Sequence, residues 1–184
     1  MGRARVEAGF SLIEVTVAVA VLTVSLFGLV SAMTYAVKQS TFTAELSIAQ
    51  DAAQAKIEEI QTYDLRDIYA LYDADASNDP AGLTAPGATF AVAGLSPRAG
   101  QTSCGRVIFP PVAGTPPNTT MDETPTPTTA TAELGFPMDL DADGDAGDAV
   151  ATTKLVRCPV KVRVEWRGAI GDAELEVCAL VIRR

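Results

Sequence analysis

The chain has 184 residues, 14 Lys and Arg against 23 Asp and Glu, a formal net charge of −9, and no histidine. This excludes Ser-His-Asp and Cys-His catalysis and any His-ligated zinc or haem, and it leaves no overall basic footprint for nucleic acid. Three cysteines are too few for a disulfide-dense scaffold. In chain order, the first element is a short lead, residues 1–9, carrying Arg3 and Arg5; basic residues before an apolar run favour the cytoplasmic side of a membrane. From Val15 to Val37 there are 23 residues without a charge. As a helix they would span about 35 Å, enough to cross a bilayer core of about 30 Å. Nothing later repeats this, so a single span near the N-terminus is expected. A cleavable signal peptide has a shorter apolar core, about 7–15 residues, and Ser31-Ala32-Met33 is a poor cleavage site. Glu14 stands at the edge of the span, where a carboxylate needs a partner or a function.

Gly9-Phe10-Ser11-Leu12-Ile13-Glu14, followed by Val15-Thr16-Val17-Ala18 and the long apolar run, resembles the prepilin-type cleavage and methylation segment of the type IV pilin-like family. The resemblance covers about residues 1–65. It implies cleavage by a prepilin peptidase between Gly9 and Phe10 and N-methylation of Phe10. Glu14, then the fifth residue, would neutralise the Phe10 amine of a neighbouring subunit in the filament core. The physical logic is independent of the family: a carboxylate and an ammonium buried together offset each other's desolvation and fix register. Ala49-Gln50 with Ile57-Glu58-Glu59-Ile60 is similar to the minor pilin and minor pseudopilin branch. The resemblance further implies other pilin or pseudopilin subunits and an inner-membrane assembly platform as partners. It implies a single-pass protein of the bacterial inner membrane with a periplasmic head, later part of a periplasmic or cell-surface filament.

Residues 10–37 are therefore expected as a transmembrane and assembly helix and 38–65 as its amphipathic continuation. In the latter, Phe42, Leu46, Ala49, Ala53, Ile57 and Ile60 recur every three or four residues, one apolar face of a helix. The expected fold is α+β and pilin-like, with this long helix packed on the small antiparallel sheet of a head formed by residues 66–184.

Ten of the 11 prolines fall between Pro80 and Pro137. Proline lacks the N–H that helices and ladders need, so residues 73–138, which hold a Pro/Thr-rich insertion at about 80–137, read mostly as loop, with short strands at 88–93 and 106–109. Asn118-Thr119-Thr120 is formally a glycosylation sequon. Asp139, Asp141 and Asp143, with Gly144 and Asp145, match the opening of a D-x-D-x-D-G calcium loop. Position twelve, where such a loop places Glu, is Val150; Asp148 at position ten is the candidate substitute. All these ligands are oxygens, so Ca²⁺ is the ion class they suit; the alternative is a solvated Asp-Gly turn.

The C-terminus, about 156–183, reads as a β-hairpin. Val160, Val162, Val164 and Trp166 alternate with charged residues, as do Ala173, Leu175 and Val177. Lys161, Arg163 and Arg167 are expected to meet Glu174 and Glu176 across an exposed face. Cys104, Cys158 and Cys178 lie beyond the span, on the oxidising side; opposite strand parity makes a Cys158–Cys178 bond poor, so Cys104 is expected to pair with one of the two, Cys158 in the first place, with one thiol left over. The sequence thus points to a filament subunit, not an enzyme, since no nucleophile–base pair or cofactor motif is present. The second reading is a membrane-tethered surface binding module, calcium-dependent through the acidic loop.

Overall fold

A computed structural model describes residues 11–73, 75, 78–82, 84–114, 119–126 and 129–183. Gly9, Phe10 and the Asn118 acceptor of the sequon lie outside the described residues. The elements in chain order are α1 (Leu12–Ile60), α2 (Leu65–Tyr72), β1 (Thr89–Phe90), β2 (Gly105–Ile108), β3 (Val112–Ala113), β4 (Thr120–Asp122), α3 (Thr129–Glu133), β5 (Ala149–Ala151), a 3₁₀ turn (Thr152–Lys154), β6 (Arg157–Gly168) and β7 (Gly171–Ile182). The fold divides into two units between Thr41 and Phe42, inside α1.

In the first unit, α1 is exposed at every described residue. This stretch is long and apolar enough to cross a membrane. Its polar residues fit that use. Thr16, Thr23, Ser25, Thr34 and Thr41 each donate a hydroxyl hydrogen bond to the carbonyl four residues earlier, at 2.7–3.1 Å. No hydroxyl donor among them is left for an apolar surrounding to desolvate.

In the second unit, the rest of α1 lies along the core. Ala49, Ala53 and Ile60 are fully buried, and Phe42, Leu46 and Ile57 pack against them, so the expected apolar stripe is the docked face. Two alanines at its centre bring the helix backbone close to its neighbours. Phe42 stacks on Trp166 with ring centroids 6.4 Å apart. Glu45 accepts hydrogen bonds from Trp166 Nε1–H and from the Ala169 backbone N–H, both at 3.2 Å. That carboxylate joins the helix to the hairpin turn.

The helix ends at Ile60, and α2 follows as a separate element that the hydrophobic stripe did not set apart. Asp64 caps it by accepting from the Arg66 N–H at 3.1 Å, the usual role of Asp at such a position. Leu65, Ile68, Leu71 and Tyr72 are its buried face. Tyr72 donates to Glu59 at 2.8 Å, which ties α2 back to α1. Lys56 pairs with Glu59 at 2.6 Å and sits 4.9 Å from the Phe90 ring centroid, a cation–π contact.

The main sheet is four-stranded and antiparallel, in the order β1-β2-β6-β7. β6 and β7 form the expected hairpin around Ala169-Ile170, with Val162 opposite Val177 and Gly168 opposite Gly171. Val160, Val162, Val164 and Trp166 are buried. Gly105 pairs with Phe90, and a Cβ at Gly105 would lie 2.3 Å from that ring; the aromatic of the edge strand covers the glycine across the pair. A second sheet, β3-β4-β5, forms from very short strands, of which β3 and β4 lie in the proline-rich region. The loop reading of that region therefore needs correction at these strands and at α3.

The other face of the hairpin also departs from expectation. Arg163 does meet Glu176 across the strands, but Lys161 is only 1% exposed. Glu133 at the end of α3 and Glu176 both reach its ammonium, the latter at 3.1 Å. Glu165 and Glu174 face each other directly, a repulsive pairing. Arg98 bridges both, at 2.7 and 3.3 Å, and its Nη2 also donates to the Ala173 carbonyl.

Candidate functional site

Two regions carry chemistry. The first is the start of α1. Glu14 lies in the first helical turn, and its backbone N–H donates to the Ser11 carbonyl at 3.0 Å. Among the described residues its carboxylate has no ion-pair partner. Around and beyond it, large apolar side chains stand open: Ile13 is 71% exposed, Val24 72% and Phe27 71%. Among the described residues of the first unit, none of these side chains is buried. An exposed apolar patch of that extent marks a surface for lipid or for another protein.

The second region is the acidic loop between α3 and β5. Asp side chains shape it by accepting backbone N–H bonds: Asp139 from Ala142 and Gly144, Asp143 from Asp145, Asp145 from Gly147. Ala142 and Gly144 take positive φ, 65° and 106°, which lets the chain fold back on itself. Carboxylate oxygens of Asp139 and Asp141 lie close together, as do those of Asp145 and Asp148. Asp143 joins neither group; it is exposed and turned to the backbone of Asp145. The position-five ligand of the sequence reading is thus not brought together with the rest.

The residue common to both groups is one the sequence reading missed, Glu123. Its carboxylate oxygens lie within 4.8 Å of the Asp139 and Asp141 ligand atoms and, in the other group, of those of Asp145 and Asp148. Glu123 follows β4, which pairs with β5 so that Asp122 faces Ala149. Its N–H donates to the Asp148 carbonyl at 3.1 Å. The side chain is completely buried. Oε1 accepts from the Leu140 N–H, while Oε2 is sealed from solvent and receives no hydrogen bond. Burial pushes the carboxyl above its ordinary range; the Leu140 N–H opposes this, and the Asp148 and Asp139 charges add to it. No local pattern marks Glu123, because its position depends on a strand pairing inside a region that reads as loop.

The expected Cys104–Cys158 disulfide is absent, and all three cysteines are free. Register is the reason. The Cys104 carbonyl accepts from the Glu165 N–H at 2.8 Å, so Cys104 is level with Glu165. Cys158 lies seven residues back along β6, about 23 Å at the strand rise, whereas a bridge needs Cα atoms within about 7 Å. Cys178 faces Lys161, not Cys158, which agrees with the opposite parity of the two. Burial pushes the Cys158 thiol up to about 12.

No family model matches the chain, and no curated protein or solved structure is significantly similar to it.

Proposed function

We propose that the chain is a structural subunit of a type IV pilin-like filament, a minor pilin or a type II secretion minor pseudopilin. One observation carries this reading. A helix of 49 residues is wholly exposed and apolar over its first part, bears a single carboxylate at its start, and continues without a break into a part docked on a folded head. A simple anchor needs no carboxylate at that point. A filament subunit does, because the Phe10 amine freed by cleavage after Gly9 needs a counter-charge when helices bundle away from water. The hydroxyls bonded within the helix suit both successive surroundings, lipid and then neighbouring helices.

On this reading the prepilin peptidase cuts and methylates the chain at the inner membrane. The assembly platform then extracts the helix from lipid into a bundle of like helices. The mass of the N-terminal peptide, measured with and without the peptidase, is the direct test. The proposal requires a chain beginning at methylated Phe10. A chain still beginning at Met1, or cut near Ala32, refutes it. Glu14→Gln should insert in the membrane normally and be processed, yet enter filaments at a small fraction of the wild-type level.

A further inference from the structure

The acidic loop lacks the glutamate that a calcium loop carries at its twelfth position, where this chain has Val150. Val150 is 3% exposed and points into the core from β5. The fold supplies a glutamate from elsewhere. Glu123, just past the end of the neighbouring strand β4, brings a fully buried carboxylate to the loop, with Oε2 left without a donor. Burying a carboxylate against further carboxylates is strongly unfavourable unless positive charge offsets it. No Lys or Arg makes an ion pair with Glu123, Asp139, Asp141, Asp145 or Asp148 among the described residues.

We propose that Glu123 is the anchoring ligand of a Ca²⁺ site completed by aspartates of the loop, Asp139 and Asp141 on one side and Asp145 and Asp148 on the other. The donor set is all oxygen and mostly carboxylate, which suits a hard divalent cation. A set of several carboxylates from one loop and the end of β4 fits Ca²⁺, which takes six to eight ligands in loose geometry, better than Mg²⁺, which demands a tight octahedron and holds its waters. The ion would join the end of β4 to the loop between α3 and β5, segments otherwise tied by the short β4–β5 ladder. The inference is independent of filament assembly, since it concerns the head alone.

The test is calorimetric titration of the full-length chain in detergent micelles, stripped with EDTA, with CaCl₂ and separately with MgCl₂. One saturable Ca²⁺ site per chain is expected, weaker for Mg²⁺. Glu123→Gln keeps the shape and the acceptor for the Leu140 N–H but removes the charge; it should weaken Ca²⁺ at least about tenfold, as loss of a charged ligand does. Asp148→Asn, at an exposed position, gives the same direction should the buried variant misfold. Asp143→Asn, outside both groups, should leave the affinity within about twofold. Circular dichroism confirms that each variant is folded. Absence of saturable binding up to about 5 mM Ca²⁺, beyond the weak end of extracellular calcium modules, overturns the proposal. So does wild-type affinity in both Glu123→Gln and Asp148→Asn.

Discussion

Lys161 shows how far a residue's surroundings can depart from its type. Burial alone would lower the pKa of its ammonium; the hydrogen bonds and charges of Glu133 and Glu176 outweigh this and raise it. Glu176 is the converse: burial would raise its carboxyl, and Lys161 and Arg163 hold it below the ordinary range. The signs give a pH window. The contribution of Glu176 is present above its unfolded value of about 4.3 and is lost as pH falls through the lower folded value. That of Lys161 is present below about 10.4 and is lost as pH rises through the higher folded value. Glu176→Gln should therefore cost about 1–3 kcal/mol at neutral pH, because Lys161 keeps Glu133. Glu133→Gln together with Glu176→Gln leaves the ammonium buried alone and should cost about 3–5 kcal/mol. Urea unfolding at pH 7 measures both losses, and the acid limb of the Tm–pH curve should flatten in Glu176→Gln.

At the scale of the element, α1 obeys two rules along one continuous helix. In residues 12–41 no face is buried, and the composition alone sets its preferred surroundings. In residues 42–60 a narrow stripe is buried, and only three residues there are fully covered. The first part was legible from its uncharged run, the second from its three-and-four spacing. A charge at the centre of the first part should act on membrane insertion without touching the head. Val24→Arg adds about 2.5–3.5 kcal/mol to insertion, so a large fraction of the chain should move from the membrane pellet to the supernatant on carbonate extraction. Unchanged partitioning would argue against a membrane role for this segment. α2 escaped the sequence reading although its signals are present: a capping Asp64 and apolar Leu65, Ile68 and Leu71.

At the scale of the whole molecule, the sheet spreads the three cysteines rather than pairing them. Cys104 precedes edge-adjacent β2, Cys158 opens the central strand β6, and Cys178 sits on β7. Cys104 and Cys158 are buried and Cys178 is exposed. A maleimide reagent should modify one thiol per native chain, at Cys178, and three after denaturation, read by intact mass. Two unreactive thiols in denaturant without reductant would restore the disulfide. The alternation shows the opposite parity of Cys158 and Cys178; where Cys104 stands along the sheet is decided by register alone.

Local patterns by themselves determined the long apolar helix, its docking stripe, the C-terminal hairpin and an aspartate-rich turn, because each rests on periodicity or on residue types close in sequence. Tertiary structure alone decided the burial of Lys161 beneath α3, the separation of the cysteines, and the meeting of Glu123 with the 139–148 loop. These depend on strand pairings between segments far apart in the chain, in a region whose prolines and threonines carry no period to read. Where a fully buried carboxylate lies is set by which backbone hydrogen bonds the distant strands complete, and short-range spacing holds no record of that.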